Sequence, residues 1–298
     1  MSNQDLAAAR PHAALGLVTS VRARGRGIIV LAGPSSCGKG AVALALRRTL
    51  HLPAENHVSM GEALREIVEQ SAADARFRAA AGDRYGVFAD RDVFDPAVTP
   101  PAVIQKARVH EAVLRERFGA EPSQLDWLCF CVTDGLLVPD AWSERVLEGV
   151  IATRAERPEA LILLDGYPRT EAAARHLLDL SARQALPILN VIHLSISKRE
   201  MHRRALGRRR NDDTPEMLER RYQFYVDHVQ PAMELLKSSL GSHAVALIDA
   251  QQPEHRADGS LDLEASVRNV AHSVLVALGV SRHILDHLDE ATPDSLPA

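Results

Sequence analysis

Residues 27–50, which read GIIVLAGPSSCGKGAVALALRRTL, hold the residues whose types and spacing most clearly predict chemistry. An apolar run ends at Gly33, Gly38 and Lys39 follow, and a segment rich in alanine and leucine comes next. A strand, a loop with the pattern G-x-x-x-x-G-K and a helix are typical of a loop that binds phosphate groups. Its glycines let backbone N–H groups point at an anion, while the helix dipole and the lysine add positive charge. An ordinary glycine-rich turn is the alternative, but lysine, spacing and flanking pattern all favour phosphate binding.

Apolar runs that alternate with helical patterns predict the elements that hold this loop. Continuous apolar runs suit strands buried on both faces of a parallel sheet, with helices covering those faces. Ligands of such sheets bind at the carboxyl ends of the strands. Polar residues follow three of the predicted strands, as the phosphate loop (residues 33–41), the segment 165–170 and a basic helix after Ile196. The predicted strands are residues 28–32, 55–58, 161–164, 188–196 and 245–248.

The pattern divides the chain into a main domain, residues 27–280, and three segments of other character. Residues 1–26 predict a loose N-terminal extension, although their arginines and single acid also resemble an organellar targeting segment. Residues 71–131 break the alternation of strands and helices, and they predict a mostly helical insertion with loops at its ends. Residues 281–298 are expected to form a C-terminal tail.

The composition predicts a soluble globular protein of the cytoplasm. The 298 residues include 25% charged and 46% hydrophobic residues, and a net charge of -4 gives no general attraction to nucleic acid or to a membrane. The three cysteines are too few for a disulfide framework, which favours a reducing compartment. No apolar run reaches the length of about 18 residues that a membrane-spanning helix needs. We expect a monomer or a small homo-oligomer.

Five segments resemble the adenylate kinases, and more broadly the nucleoside monophosphate kinases, in the order in which that family carries them. They are GPSSCGKG, HVSMGEALR, GLLVPD, LLDGYPRT and RALGRRRNDDTPEMLERR, and they cover most of residues 27–70 and 132–250. The fourth and fifth segments are specific, whereas many nucleotide hydrolases share the phosphate loop. The resemblance implies an α/β protein with a three-layer P-loop kinase fold, in which helices flank a central parallel sheet, with the mostly helical insertion in addition.

The resemblance implies transfer of the γ-phosphoryl group of ATP to a nucleoside monophosphate, with Mg²⁺ as cofactor and ADP and a nucleoside diphosphate as products. Such a reaction gathers several negative charges at one point. The acceptor oxygen is already ionised, so no protein base is needed. What the protein supplies is positioning and charge neutralisation by lysine, arginine and magnesium.

The resemblance also implies the roles of individual residues. The catalytic cations of the family match Lys39, Arg169, Arg204, Arg208, Arg210 and Arg221. The ATP-binding residues match Gly33, Pro34, Ser35, Ser36, Cys37, Gly38, Lys39, Gly40 and Ala41, with Arg204 and Arg208. The residues that bind the monophosphate match Ser59, Met60, Arg65, Val138, Gly166, Arg169, Arg210 and Arg221. The carboxylate that holds the water shell of Mg²⁺ matches Asp165.

Several of these assignments have a simpler alternative. The basic run at residues 198–210 could be a solvated helix face or a nucleic-acid patch, but the acids at 212–213 and Arg221 stand at the family's spacing and favour catalysis. Asp165 could merely cap the following helix, and Arg169 could pair with a surface acid. The position of Asp165 at a strand end, and of Arg169 in its motif, favours the functional assignments.

The sequence departs from the family pattern in four places, and two of them, Met60 and Ala173, leave the acceptor open. Ala41 and Met60 stand where the family usually has threonines, and Ala173 stands where it has a glutamine that reads adenine. The lid, at about residues 207–211, is minimal, so the insertion at 71–131 is expected either to cover the acceptor site or to serve as an interface. AMP is the expected acceptor, with CMP, UMP or a deoxynucleotide as alternatives. A catalytically weak nucleotide-binding regulatory protein is the alternative from another class.

Overall fold

A parallel sheet of five strands lies at the centre of the computed structural model, which describes residues 25–157, 160–208 and 214–290. Its strands are β1 (Gly27–Ala32), β2 (His57–Ser59), β3 (Leu161–Asp165), β4 (Ile188–Ser195) and β5 (Val245–Asp249). Their order in the sheet is β2-β3-β1-β4-β5. The first strand in sequence is therefore the middle strand in space. Its neighbours, β3 and β4, are the other two strands that polar segments follow.

Helices cover both faces of this sheet and give the molecule three layers. The alternation of side chains along β1 shows this, because Ile28 and Val30 belong to one buried cluster while Ile29 and Leu31 belong to the other. The predicted three-layer α/β fold is confirmed. The helices are α1 (Lys39–Thr49), α2 (Met60–Ala73), α3 (Ala75–Tyr85), α4 (Pro101–Arg108), α5 (Glu111–Phe118), α6 (Gln124–Thr133), α7 (Asp140–Ala155), α8 (Glu171–Arg183), α9 (Lys198–Arg208), α10 (Pro215–Phe224), α11 (Gln230–Leu240), α12 (Leu263–Ala277) and α13 (Arg282–Glu290).

Local sequence signals set several of these boundaries. The Thr214 side chain accepts a hydrogen bond from Met217 N, and Pro215 occupies the first turn of α10, as the sequence predicts. The helix that starts there is divided near Pro231, as the proline predicts: α10 ends at Phe224, a π-helical turn spans Tyr225–Val229, and α11 follows. A short antiparallel hairpin, β6 (Glu254–His255) with β7 (Leu261–Asp262), has no counterpart among the predicted elements.

The segment predicted as a helical insertion contains α3, α4, α5 and nearly all of α6, so its helical character is confirmed. These helices pack into the main body of the protein. Leu114, Leu125 and Leu128 are completely buried and belong to the same cluster as Ile28 and Val30 of β1. The insertion is thus built on the core that also carries the sheet.

The predicted C-terminal tail begins with a helix. Within α13, Leu285 is buried and packs in the second apolar cluster with α12. The predicted N-terminal extension falls mostly outside the described residues, as do the last eight residues of the tail and most of the predicted lid. In the part of the chain that the structure describes, no helix has the length and apolar character needed to cross a membrane.

Replacing Leu114 should reveal how firmly the insertion belongs to this core. Leu114 is 0% exposed, whereas its neighbour Val113 is 49% exposed. We expect Leu114→Ala to lower the free energy of unfolding by about 2–5 kcal/mol, because it leaves a cavity among packed side chains. Val113→Ala, the matched control, should change it by only about 0.5 kcal/mol or less. Urea unfolding measures both, and equal effects of the two variants would contradict the packing described above.

Candidate active site

The carboxyl ends of β1, β3 and β4 meet at one edge of the sheet, and the phosphate loop follows β1 there. Gly33 has a φ of 145°, and a Cβ atom at this position would lie 2.5 Å from the carbonyl oxygen of Leu194 on β4. Gly38 has a φ of 96° in the left-handed region. Both positions therefore exclude residues with a side chain, the first by close approach and the second by backbone conformation. The predicted loop is formed.

Lys39 lies across the loop to which it belongs. Its Nζ donates hydrogen bonds to the carbonyl oxygens of Gly33, at 3.0 Å, and Pro34, at 2.9 Å. Ser36 Oγ is buried and has no hydrogen-bond partner among the described residues. An ammonium group and an unsatisfied hydroxyl thus lie on a short loop before the amino end of α1. This arrangement suits an anion better than any neutral ligand.

Asp165, the last residue of β3, lies level with Leu31 of β1 and Ser59 of β2. Its side chain is buried, and its Oδ1 atom has no hydrogen-bond partner in the described part of the chain. Burial raises the pKa of this carboxyl group, while the positive charges of Lys39 and Arg169 oppose the shift. A buried carboxylate oxygen without a donor is a suitable partner for the water shell of a hard cation such as Mg²⁺.

A cleft of about 650 Å³ opens beside the phosphate loop, and we call it the acceptor cleft. Three arginines and one loop serine lie along it: Arg65, Arg169, Arg221 and Ser35. Its remaining lining is largely apolar and includes Met60, Leu64, Leu136, Leu137, Val138 and Ala173. A ligand with a negative group and a flat apolar body would complement both parts of this lining.

Most residues predicted to bind the monophosphate line this cleft. Met60, Arg65, Val138, Gly166, Arg169 and Arg221 all do so. Ser59 instead caps α2, since its Oγ accepts a hydrogen bond from Glu62 N. Arg210 lies outside the described residues. The sequence thus separates these residues by more than 150 positions, and the fold brings them together.

Arg169 and Arg65 are close enough to influence each other. Desolvation lowers the pKa of the Arg169 guanidinium, the charge of Arg65 lowers it further, and Asp165 opposes both. The Arg169 Nε atom donates a hydrogen bond to the carbonyl oxygen of Gly166 at 3.0 Å. Two guanidinium groups held at one place repel each other, and a bound anion would relieve that repulsion.

Arg204, on α9, is anchored to the phosphate loop. Its Nη1 donates to the carbonyl oxygen of Cys37 at 3.3 Å, and its Nη2 donates to that of Ala250 at 2.9 Å. Its Nε donates to Glu200 Oε1 at 2.6 Å. Arg208 ends α9 one helical turn later. The predicted association of this helix with the loop is formed through Arg204.

Glu200 is a site residue that the sequence analysis missed. It is 9% exposed, and it accepts hydrogen bonds from Arg203 as well as Arg204. The hydrogen bonds from Arg203, assisted by those from Arg204, lower the pKa of Glu200 to about 2. We call this arrangement of Glu200, Arg203 and Arg204 the fork. An acid that stands three and four residues before two arginines on a predicted helix is a sequence signal that could have revealed it.

The two cysteines at the end of the insertion have thiol pKa values that are raised by burial. Burial raises the pKa of the Cys131 thiol to about 12, and it also raises the pKa of the Cys129 thiol. Both groups therefore remain neutral thiols near pH 7. No group of three or more metal-binding side chains occurs among the described residues. The interpretation of Cys131 as a buried core thiol agrees with its position, while Cys129 is only partly buried.

Comparisons with known proteins place the chain near the adenylate kinases. Over 118 residues it is 32% identical to the adenylate kinase of Mycolicibacterium smegmatis, a match that covers 39% of this chain and 63% of that protein. Over 211 residues it is 26% identical to the adenylate kinase of Xanthomonas campestris pv. campestris, covering 69% of this chain and 82% of that protein. The first match thus spans less than two thirds of its relative. No family model matches the chain.

Among solved structures, a gluconokinase from Sinorhizobium meliloti 1021 aligns with 91% of this chain and 100% of its own, at 15% identity and a TM-score of 0.42. A likeness this loose carries no argument about activity. The matches to adenylate kinases agree with the P-loop and the three-layer fold described above.

The fork at Glu200 should give this region a characteristic dependence on pH. The pKa of about 2 in the folded protein lies below the ordinary glutamate value of about 4.3. The ionised form therefore adds stability that is present above about pH 4.3 and is lost as the pH falls toward 2. Glu200→Gln should melt at a lower temperature than the unmodified protein at pH 7. That difference should persist down to about pH 5 and then close as the solution becomes more acidic.

Glu219→Gln provides the matched control, because Glu219 pairs with Lys198 at 2.7 Å on the exposed surface. Exposed pairs contribute only about 0–1 kcal/mol, so this variant should melt almost like the unmodified protein. Circular dichroism melts between pH 7 and pH 3 measure both variants. A Glu200→Gln effect that is absent at pH 7, or independent of pH, would contradict the fork.

Proposed function

We propose that this chain, which belongs with the adenylate kinase-like P-loop kinases, transfers the γ-phosphoryl group of ATP to a nucleoside monophosphate. The products are ADP and a nucleoside diphosphate. One observation carries the proposal: the acceptor cleft shares Ser35 with the phosphate loop and is lined by Arg65, Arg169 and Arg221. An arginine-lined cleft that begins at a phosphate loop suits an acceptor that brings its own phosphate group.

The distribution of charge supports a phosphate acceptor over a hydroxyl acceptor. A hydroxyl group must lose its proton during transfer, which a carboxylate or imidazole beside the reacting atoms would assist. Three of the four charged side chains that line the acceptor cleft are instead guanidinium groups, and the fourth is the carboxylate of Asp140, which accepts a hydrogen bond from Thr170. Because a phosphate oxygen is already ionised, these cations can hold it in line and neutralise the charge that gathers during transfer.

On the ATP side, each assigned residue has a physical role. The backbone N–H groups of the phosphate loop surround the phosphates, and Lys39 moves from the loop carbonyls to the β and γ phosphates. Arg204, held by Glu200 and the loop backbone, fixes α9 against the nucleotide site. Arg208 and Arg210 complete the set of cations in this proposal.

The residues present fit a magnesium ion that arrives with ATP. Asp165 offers a buried oxygen without a partner close to the charges of Lys39 and Arg169. It would hold the ion through water, as the motif implies. A magnesium ion bound with ATP would supply positive charge that neutralises the negative charge developing during transfer. The chain's own contribution is to hold and orient this carboxylate at the end of β3.

AMP is the acceptor we propose first, because the most similar curated proteins described above are adenylate kinases. CMP, UMP or a deoxynucleotide would keep the chemistry and change only the acceptor. A coupled assay of ADP release with AMP, CMP, UMP and GMP, corrected for ATP hydrolysis without acceptor, distinguishes these cases. Tight ATP binding without ADP release from any acceptor would instead support the regulatory alternative and overturn the proposal.

Arg169 should be essential for turnover and unimportant for folding. Its side chain lines the open cleft, and its described hydrogen bond goes to the nearby Gly166 carbonyl. We expect Arg169→Ala to reduce kcat by about 10³-fold or more, because a cation at the transferred charge is lost. Arg175→Ala is the control, since Arg175 lies on the surface of α8 and pairs with Glu171. It should retain near-normal kcat, and both variants should keep their melting temperatures. A folded Arg169→Ala enzyme with normal turnover would refute this role.

Replacing Asp165 should have opposite effects on activity and on stability. Burial raises the pKa of its carboxyl group, so the ionised form present near pH 7 destabilises the folded protein. Asp165→Asn should therefore be at least as stable as the unmodified enzyme at pH 7. Its kcat should fall on the order of 10²-fold or more, because the carboxylate beside the phosphates is lost.

Thermal melts and a magnesium titration of activity measure these two effects. Asp179→Asn is the control, because Asp179 is exposed and pairs with Arg183 on α8. A marked loss of stability in Asp165→Asn would show that the carboxylate is structural and would argue against its role beside magnesium.

A further inference from the structure

The lining of the acceptor cleft includes a carboxylate and a hydroxyl group, on Asp140 and Ser143 at the start of α7. We propose that these two groups read the base of the acceptor and select bases that carry an exocyclic amino group. The inference rests on the proposed function, because it assigns the acceptor class for that same site.

Asp140 is held in place with one oxygen left over. Thr170 Oγ1 donates a hydrogen bond to Asp140 Oδ2 at 2.9 Å, and it accepts one from Ala173 N at 3.1 Å. The threonine therefore locks the carboxylate of α7 to the first turn of α8. In the described part of the chain, no hydrogen bond reaches Asp140 Oδ1, and Asp140 lines the cleft. An ionised carboxylate can only accept, so the free oxygen calls for a donor from the ligand.

Ser143 can also act only as an acceptor toward a ligand in this conformation. Its Oγ donates to the carbonyl oxygen of Asp140 at 3.0 Å, which uses the only proton of the hydroxyl group. Its lone pairs remain. Ser143 stands one turn along α7 from Asp140, so the two acceptors share a face of the helix.

Two neighbouring side-chain hydroxyl groups that could have donated are already engaged. The Tyr167 hydroxyl group is hydrogen-bonded to His176 Nδ1 at 2.8 Å, so Tyr167 contributes its aromatic ring rather than its hydroxyl group to the cleft lining. Thr133 Oγ1 pairs with Asp134 Oδ2 at 2.8 Å and with the carbonyl oxygen of Cys129 at 2.9 Å. This part of the cleft therefore offers acceptors, flanked by apolar surface from Val138 and Ala173.

The charges that act on Arg169 and the charges that act on Tyr167 come from different residues. Arg169 feels the charges of Asp165 and Arg65, whereas Tyr167 feels those of Glu144, Asp140 and Glu148. The phosphate-binding arginines and the acidic residues of α7 thus influence different groups. Ala173 also lines the cleft, and its small side chain leaves space for a ring.

These acceptors distinguish bases by the direction of their hydrogen bonds. Adenine, cytosine and guanine carry an exocyclic amino group, which donates to a carboxylate. Uracil and thymine carry carbonyl oxygens instead of an amino group, and these share no proton with Asp140, so the ring N3–H is the one donor that their bases retain. Such a mismatch between polar groups discriminates more strongly than a difference in size. The acceptor class is therefore a monophosphate with an amino-bearing base.

Asp140→Asn tests this reading with almost no change in shape. The new side chain can still accept from Thr170 through its carbonyl oxygen, while its amide group offers N–H donors to the cleft. The experiment measures kcat/KM for AMP, CMP and UMP. The unmodified enzyme should prefer AMP or CMP to UMP, and the variant should reduce that preference by about 10–100-fold. Melting temperatures check that α7 is intact.

Asp179→Asn is the matched control, because Asp179 is exposed on α8, pairs with Arg183 and is not part of the cleft lining. It should leave the preference among bases unchanged. An Asp140→Asn variant that loses kcat/KM equally for all acceptors would show a purely structural role and overturn the inference. A preference of the unmodified enzyme for UMP would overturn it as well.

Direct binding of AMP, CMP and UMP, measured by calorimetry without ATP, separates this inference from the proposed function. If no monophosphate is phosphorylated, the proposed function fails. Selective binding of AMP or CMP that disappears in Asp140→Asn would still support base reading by Asp140. Binding without selectivity would overturn the inference even in an enzyme that turns over.

Discussion

The central position of β1 is the constraint on which the rest of the structure depends. Because β1 bonds to β3 on one side and to β4 on the other, the loops that follow these strands must meet at one edge. Gly33 and Leu194 are in such close contact that the loop after β1 and the end of β4 form one surface. The phosphate loop, Asp165 and the helix of Arg204 are neighbours for this reason.

This convergence concentrates charge, and the protein manages the charge in two ways. Some cations are held by acceptors within the protein. Glu200 accepts hydrogen bonds from Arg203 and Arg204, and a carbonyl oxygen of the phosphate loop accepts one from Lys39. Where a ligand is expected, other cations are left in electrostatic conflict, as with Arg65 and Arg169. Asp165 is the complementary case, a buried anion whose ionisation burial opposes. Such groups lower the stability of the fold and favour the binding of a ligand of opposite charge.

The insertion gives the acceptor side its particular shape. Its last helix, α6, contributes Cys131, Val132 and Thr133 to the wall of the acceptor cleft, and α6 also contacts α2, the helix of Arg65. Another part of the insertion packs against α6 through His110, whose ring lies 5.8 Å from that of Trp127 and 5.4 Å from that of Phe130. This position agrees with a role of the insertion in enclosing the acceptor, one of the two roles expected from the sequence.

The sequence by itself determined the sheet, most helix boundaries and the phosphate loop, because these depend on local signals: apolar runs, capping residues and glycines at fixed spacing. It also predicted Arg65, Arg169 and Arg221 through the resemblance of their segments to a known family, and all three line the cleft. Only the tertiary structure decided which residues share a cleft. Thr170 donates a hydrogen bond to Asp140 from a position 30 residues further along the chain, and no local pattern of residue types encodes that contact. The base-reading end of the cleft is therefore a product of packing between α7 and α8.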